Sequence, residues 1–273
     1  MEIITSRSNP LVKWVASLHD KKGRRAEHCF IAEGIKLTLE AINSGMPLEH
    51  ILVSESAVAT IMPVITEALA ANKIEFCPIH TLSESAFEKV STEKAPQGVL
   101  TVIKYLDFSI NADIIYKEEF FLKANERVLA LYSLRDPSNL GAVIRSAVAF
   151  GVDHILLSDD CADVYSPKTV RSAMGAIFKV KISEVSCFDG FVNAARKSGR
   201  RVFAAELTDN AVSLRDEPIS SSDIVIIGNE GHGIPREISS LCDASLYIPI
   251  MQTVESLNAS VAAAIFMWEQ GKK

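Results

Sequence analysis

Between residues 127 and 250 the chain carries a series of short, near-continuous apolar runs: RVLALYSL, DHILLS, RVFAAEL, DIVIIG and SLYIPI. Such runs read as strands buried on both faces, the pattern of a parallel sheet. Helical stretches separate them. In LGAVIRSAVAFG the residues Leu140, Val143, Ile144, Ala147 and Val148 fall at i, i+3, i+4, i+7 and i+8, and Gly151 closes the helix. In SPKTVRSAMGA, Ser166 is the expected N-cap and Pro167 the first helical residue. A helix over 188–198, a short one over 234–241 and a last one rich in small apolar residues complete the series. Strands alternating with helices imply an α/β layer.

The first 105 residues show a second alternation of the same kind. Helices are expected over 8–19, after Glu33 up to Gly45, up to about Ala71 and near 83–90. Strands are expected at CFIA, 48–53, 74–78 and 98–104, and DKKGRR reads as a basic turn. With 273 residues the chain has room for two ordinary domains. Residues 107–126, with five acids against two lysines and no clear period, read as a linker, or as an edge helix packed on one domain. The expected division is 1–105, a linker at 106–126, and 127–273.

Composition excludes several classes. The N-terminus lacks a positive-then-apolar signal pattern, and no uncharged apolar run approaches the roughly 20 residues of a membrane helix. A cytoplasmic protein is expected. Five cysteines, odd in number, scattered and without a CxxC pair, argue against a disulfide framework or structural zinc. The six histidines form no ligand spacing, so no metal is expected. Net charge is −6, yet residues 1–25 hold six basic residues against two acidic ones. Arg7, Lys21, Lys22, Arg24 and Arg25 are the candidates there for nucleic-acid contact, with a solvated helix face and turn as the plainer alternative.

Three polar corners at strand ends carry the chemistry. The first is Asn139-Leu-Gly141-Ala-Val-Ile-Arg145. Asn139 sits where an N-cap belongs, and Arg145 is an arginine within an otherwise apolar helix, either paired or snorkelling to solvent. The second is Gly228-Asn-Glu230-Gly231-His-Gly233, three glycines in six residues after an apolar strand. Its order is neither G-x-G-x-x-G nor that of a P-loop, which weakens both nucleotide-fingerprint readings. The third is VESLN, where Ser256 and Asn258 either build a site or cap the final helix. Ligands bind outside the carboxyl ends of parallel strands, so three such corners in one domain make a site.

The ordered set NLGAVIRSA, IVIIGNEGHGI and IPIMQTVESLNASVAAAI closely resembles the three motifs of the SpoU-type RNA ribose 2′-O-methyltransferases of the SPOUT superfamily. The segments PKTVRSAMGAIF and ITSRSNPLVKWVASL…FIAEGIKLTLEAI resemble the same family and its L30e-like substrate-binding domain, so the likeness covers nearly the whole chain. It implies a parallel α/β domain whose last segment passes through a trefoil knot, S-adenosylmethionine as methyl donor, and a homodimer built through the C-terminal domain. It also implies a structured RNA substrate, large-subunit ribosomal RNA before transfer RNA. On matching positions, Asn139, Arg145, Glu230, Ser256 and Asn258 become the catalytic or near-catalytic set. Ile227, Gly228, Asn229, Glu230, Gly231, Ile248, Ile250, Ser256 and Leu257 become the cofactor-binding set. The chain departs from the pattern at Gln252, where many relatives have glycine, and at Arg171-Ser172-Ala173, which reverses the usual order after the arginine.

The implied reaction is in-line attack of a ribose 2′-oxygen on a sulfonium methyl, which needs alignment and removal of the hydroxyl proton. Neutralising any guanidinium at neutral pH costs on the order of 7 kcal/mol. A charged Arg145 that stabilises developing alkoxide or orients a phosphate is therefore preferred to Arg145 as base. A catalytically silent RNA-binding or assembly factor on the same fold, and a generic nucleotide-binding α/β enzyme, are the alternatives.

Overall fold

Two separate sheets carry the chain, in a computed structural model that describes residues 2–74, 76–106, 122–123, 126–229, 231–251 and 253–271. Most of the expected linker lies outside those residues. The first unit comprises Met1–Leu106 together with Asp163–Lys179, and the second Asp107–Ala162 with Val180–Lys273.

In the first unit the strands are β1 (Ile3–Ile4), β2 (Cys29–Glu33), β3 (Leu48–Ser54), β4 (Ile79–Leu82) and β5 (Val99–Lys104). They lie in the order β1-β4-β3-β5-β2, and β5 runs antiparallel to both its neighbours. The helices are α1 (Pro10–Ser17), α2 (Lys21–Glu27), α3 (Ile35–Asn43), α4 (Val58–Ala71) and α5 (Glu84–Val90). Side chains alternate along β3, so Leu52 enters a core with Val12, Val15 and Phe87, while Ile51 and Val53 enter another with Ile42, Ile61 and Ile65. Two expectations fail here. The fourth strand starts at Ile79 and not at Ile74. Pro78, with no N–H to give, contributes only its carbonyl, which accepts from Ile51 N at 2.9 Å. The basic turn is a helix, α2, ended by His28 in the left-handed conformation.

The second unit holds β6 (Val128–Leu131), α6 (Pro137–Ala149), β7 (His154–Ser158), then, after α7 (Pro167–Ala173) of the first unit, β8 (Lys181–Val185) and α8 (Phe188–Lys197). It continues with β9 (Val202–Ala205), β10 (Val212–Ser213), β11 (Ile224–Ile227), α9 (Arg236–Ser239), β12 (Ala244–Tyr247) and α10 (Ala259–Gln270). The order is β10-β12-β9-β11-β6-β7-β8 and every pairing is parallel, as the apolar runs require. One face packs Val128, Ala130, Ile224 and Ile226 against Phe188, Phe191 and Val192 of α8. Helices α6 and α10 pack on each other, and the Arg127 guanidinium donates to Phe150 O and, at 3.0 Å, to Met267 O at their C-terminal ends. Strand β12 stops at Tyr247, short of the expected Ile250.

The segment Asp163–Lys179, expected within the second domain, packs with the first unit. Tyr165 stacks on Phe30 at 4.6 Å and on Tyr105 at 4.1 Å between ring centroids. Asp163 takes a 2.6 Å salt bridge from Arg24, which also donates to Leu18 O and His19 O.

All five cysteines are free, and burial pushes the Cys29 and Cys77 thiols up to about 11 and Cys242 to about 12, which keeps them protonated. No helix among the described residues is long and apolar enough to cross a membrane.

His154 is fully buried between β7 and β8, with Nε2 2.8 Å from Ser183 Oγ. Nδ1 stands 3.3 Å from Glu126, but burial, helped by Lys181, lowers the imidazole pKa to about 3, so the ring is neutral and the contact is no ion pair. The unfolded chain takes up a proton near pH 6.5 that the folded chain refuses until about pH 3. Stability is therefore full above pH 6.5 and falls as the pH drops below it, by up to about 1.4 kcal/mol per unit. Urea midpoints between pH 7 and 5 should fall in the wild type and fall less in His154→Gln. Equal slopes would mean His154 does not titrate on unfolding.

Candidate functional site

The glycine-rich exit from β11 doubles back on itself. Gly233 N donates to Asn229 O at 2.9 Å, Asn229 N donates to Gly233 O at 3.3 Å, and Gly233 takes a left-handed φ of 64°. A Cβ on Gly228 would lie 2.6 Å from the Gly233 carbonyl carbon, so no larger residue fits there without moving backbone. Asn229 is the keystone of this loop. Its Oδ1 accepts from Gly231 N at 2.6 Å and His232 N at 3.2 Å, and its Nδ2 donates to Ser133 O at 2.9 Å.

That last bond ties the second corner to the first. Ser133, just past β6, also has a left-handed φ of 56°. Its N–H donates to Ser158 Oγ and its Oγ to Asp160 Oδ2, which also takes Arg135 at 3.1 Å. Burial alone would raise the Asp160 pKa, but the bonds from Ser133, Ser158 and Arg135 outweigh it and hold the carboxyl below its usual range. Asn139 is not the N-cap of α6. Asp136 is, accepting from Ser138 N at 2.7 Å and Asn139 N at 2.9 Å, with Pro137 as first helical residue. The Asn139 side chain is thereby released to meet the third corner, where its Oδ1 accepts from Asn258 Nδ2 at 3.0 Å. Asn258 does cap α10, accepting from Ser260 N at 2.9 Å.

A cavity of about 620 Å³ opens at the carboxyl ends of β9, β11 and β12. Its walls include Ile227, Gly228, Asn229, Ile248, Ile250, Ser256 and Leu257 of the expected cofactor set, closed by Ala259, Ala262 and Phe266 of α10. Gly231 is not among the lining residues, and neither are Asn139, Arg145 and Asn258. Arg145 is exposed and makes no ion pair with a described residue, so the snorkelling alternative holds within this chain. Glu230 and Gln252 lie outside the described residues. His232, Met251 and Val254, within the two loops 228–233 and 248–257 expected to hold the cofactor, also line it, whereas the sequence reading missed Glu206 and Leu207 beyond β9. A signal existed for Glu206, an acid closing the apolar run RVFAAEL; it accepts from Ser245 Oγ at 2.7 Å. Among the described residues no group of three or more His, Cys, Asp or Glu is placed to hold a metal.

Arg7, Lys21, Lys22 and Arg25 are exposed as a nucleic-acid contact requires. Arg24 is not: it is only 3% exposed and spent on Asp163 and two carbonyls, because a guanidinium that enters a protein interior must be paired.

A wholly parallel sheet with a ligand-sized cavity outside its carboxyl ends defines an α/β domain that binds a small molecule. The chain belongs to the SpoU rRNA Methylase family, whose profile matches residues 126–268, and residues 9–101 match the MRM3-like substrate binding domain. It is 32% identical to the 23S rRNA (guanosine(2553)-2′-O)-methyltransferase RlmP of Bacillus subtilis (strain 168), over 98% of each chain. It is 32% identical to a putative TrmH family tRNA/rRNA methyltransferase of Staphylococcus aureus (strain MSSA476), over 86% of this chain and 92% of that one. The AdoMet-bound rRNA methyltransferase from Sinorhizobium meliloti superposes with a TM-score of 0.83 at 27% identity, covering 98% of this chain and 97% of that one.

The loop geometry makes a sharp comparison. Gly228→Ala drives a Cβ into backbone and should cost about 1–3 kcal/mol. Gly231→Ala meets only the Asn229 side-chain oxygen, at 3.3 Å, and should cost clearly less. Chemical denaturation of both variants measures this; equal losses would mean the loop is not closed as described.

Proposed function

We propose that the protein transfers a methyl group from S-adenosylmethionine to a ribose 2′-hydroxyl of structured RNA, with large-subunit ribosomal RNA as the substrate class. The observation that carries this reading is the cavity outside β9, β11 and β12, joined through α10 to the Asn139–Asn258 pair. Family membership and the 23S rRNA activity named for the Bacillus relative support it.

The residues present fit the cofactor. At about 620 Å³ the cavity lies within the ~300–1,000 Å³ range of small-ligand sites. Ile227, Ile234, Leu246, Leu257 and Phe266 offer apolar walls for an adenine ring, and Glu206 with the backbone of Gly228, Asn229 and Ile248 offers polar partners. Bound there, the cofactor supplies an electrophilic methyl on a sulfonium. The chain's task is to align the ribose oxygen and stabilise charge that develops on it. Asn139 and Asn258 orient the ribose, with Ser256 at the cavity rim and Glu230 as the remaining member of the set. Arg145 stays charged and holds the adjoining phosphate, and its exposure on α6 supports an external partner. No metal takes part.

Residues 1–105, with the segment 163–179 that packs on them, form the substrate-binding domain, 106–126 the linker, and the remainder of 127–273 the methyltransferase domain. The two family matches, at 9–101 and 126–268, support this division. Arg7, Lys21, Lys22 and Arg25 hold RNA by its phosphates. The segment leading from β12 into α10 threads a trefoil knot, and the working form is a cytoplasmic homodimer. Exposed Val261 and Trp268 on α10 support a partner surface there.

Methyl transfer from labelled S-adenosylmethionine to total RNA from a strain lacking the gene tests the reading, with the modified nucleotide then mapped. Label on one ribose 2′-oxygen of ribosomal RNA is expected; label confined to transfer RNA, or no transfer, would overturn it. In that assay Arg145→Lys should lower kcat at least tenfold, a loss of about 1.4 kcal/mol of transition-state stabilisation. Near-full turnover would remove any guanidinium-specific role. Reversing Lys21, Lys22 and Arg25 to Glu should weaken RNA binding and flatten its salt dependence while cofactor binding stays unchanged. Unchanged RNA affinity would return these residues to a solvated surface.

A further inference from the structure

We propose that two carboxylates in the wall of the cavity, Glu206 and Glu255, make it select a cationic nucleoside over a neutral one, so that it holds the methyl donor and releases the spent product. The proposal rests on the methyltransferase reading and adds to it a charge rule for cofactor exchange.

Among the described residues that line the cavity there is no lysine and no arginine, and Glu206 and Glu255 are the carboxylates. Neither forms an ion pair with a described residue. Glu206 follows β9, and its N–H donates to Leu246 O at 3.0 Å. Its Oε1 accepts from Ser245 Oγ at 2.7 Å. Backbone and side chain are thus both tied to β12, and by a neutral donor that leaves the negative charge uncompensated. Glu255 is exposed and reaches the cavity from a separate segment, between β12 and α10. Ile227, Ile234, Leu246, Leu257 and Phe266 add apolar wall, and a charge beside apolar groups acts through a lower dielectric than water. A cube of the cavity's volume, about 620 Å³, is about 8.5 Å on edge, close to one screening length at physiological ionic strength, so both carboxylates act on a charge bound inside. A nucleoside phosphate would meet like charge there, with no cation in the described wall to offset it.

S-adenosylmethionine carries a sulfonium, an ammonium and a carboxylate, a net single positive charge. On transfer the S–CH3 bond breaks and its electron pair stays on sulfur, an O–CH3 bond forms, and the hydroxyl proton leaves. The product, S-adenosylhomocysteine, has a neutral thioether and no net charge. The wall keeps its negative charge throughout, so the attraction that holds the donor is withdrawn from the product. Because this field stabilises the sulfonium before transfer more than after it, the two carboxylates serve cofactor affinity and exchange, and not the rate of the chemical step.

The test measures dissociation constants by calorimetry on the full-length, RNA-free protein. Its probes are S-adenosylmethionine, S-adenosylhomocysteine, uncharged adenosine, and sinefungin, an analogue in which an amine-bearing carbon replaces the sulfonium. At low salt the wild type should prefer S-adenosylmethionine to S-adenosylhomocysteine about tenfold. Glu206→Gln and Glu255→Gln should each narrow that preference about threefold, and the double variant should remove it. Glu206→Asp and Glu255→Asp, which keep the charge, should stay within about twofold of the wild-type preference. Sinefungin should follow S-adenosylmethionine, which separates the charge from the methyl group. Added salt should narrow the preference in the wild type and leave the double variant unaffected. Adenosine should bind all variants alike and so report an intact cavity. If a glutamine variant loses adenosine binding, the aspartate variants and the salt dependence of the wild type decide. An undiminished preference in the double variant, or sinefungin grouping with S-adenosylhomocysteine, would overturn the charge rule. Wild-type binding of all four probes without a charge preference would sink the proposal alone. If the wild type binds none of them, the methyltransferase reading falls and the proposal with it.

Discussion

The Arg127 guanidinium sits where α6 and α10 end, donating to Phe150 O and Met267 O. The last carbonyls of a helix carry the negative end of its dipole, and a cation there is worth about 0.3–1 kcal/mol when exposed and up to ~2 kcal/mol when partly buried. One side chain here serves two helices. Phe150 packs edge-on to Trp268 at 5.9 Å, and Gln270 reaches Asp223 O, so the C-terminal end of α10 is held from several sides. At the opposite ends of the same helices stand Asn139 and Asn258. A hydrogen bond between two short amides tolerates little sliding, and the fastening at Arg127 acts with the packing of α6 on α10 to oppose it.

The cavity beside this pair depends on backbone more than on side chains. The loop after β11 reaches its shape through the close approach of Gly228 to Gly233 and the left-handed turn at Gly233. Asn229 then carries that shape to the exit of β6 through Ser133. The shape of that wall is set by the close backbone approach and by the one side chain, Asn229, that holds it.

Much of this was legible from residue patterns. Near-continuous apolar runs announced a parallel sheet, and Ser166-Pro167 announced a helix start that the structure reproduces. What failed did so for local or long-range reasons that can be named. Asp136 and Asn139 are both good caps, three residues apart, and pattern alone did not show that the proline between them begins the helix. Arg24 looked like its basic neighbours because its partner, Asp163, is 139 residues away. Pro78 moved a strand start by its missing donor. Glu206 was overlooked because only the sheet order brings the end of β9 beside β11 and β12.

The unit formed by Met1–Leu106 and Asp163–Lys179 is discontinuous along the chain, and this limits how the protein can be divided. A gene fragment ending at Leu106 would encode all five strands of the first sheet yet lack Asp163, leaving a buried guanidinium without its carboxylate. It would also lack Tyr165, and so strip Phe30 and Tyr105 of the ring stacked on both. The substrate-binding half is thus not a portable module. A chimera that exchanges it between relatives must carry the later segment as well, and a lineage that recombines these halves must keep both pieces together.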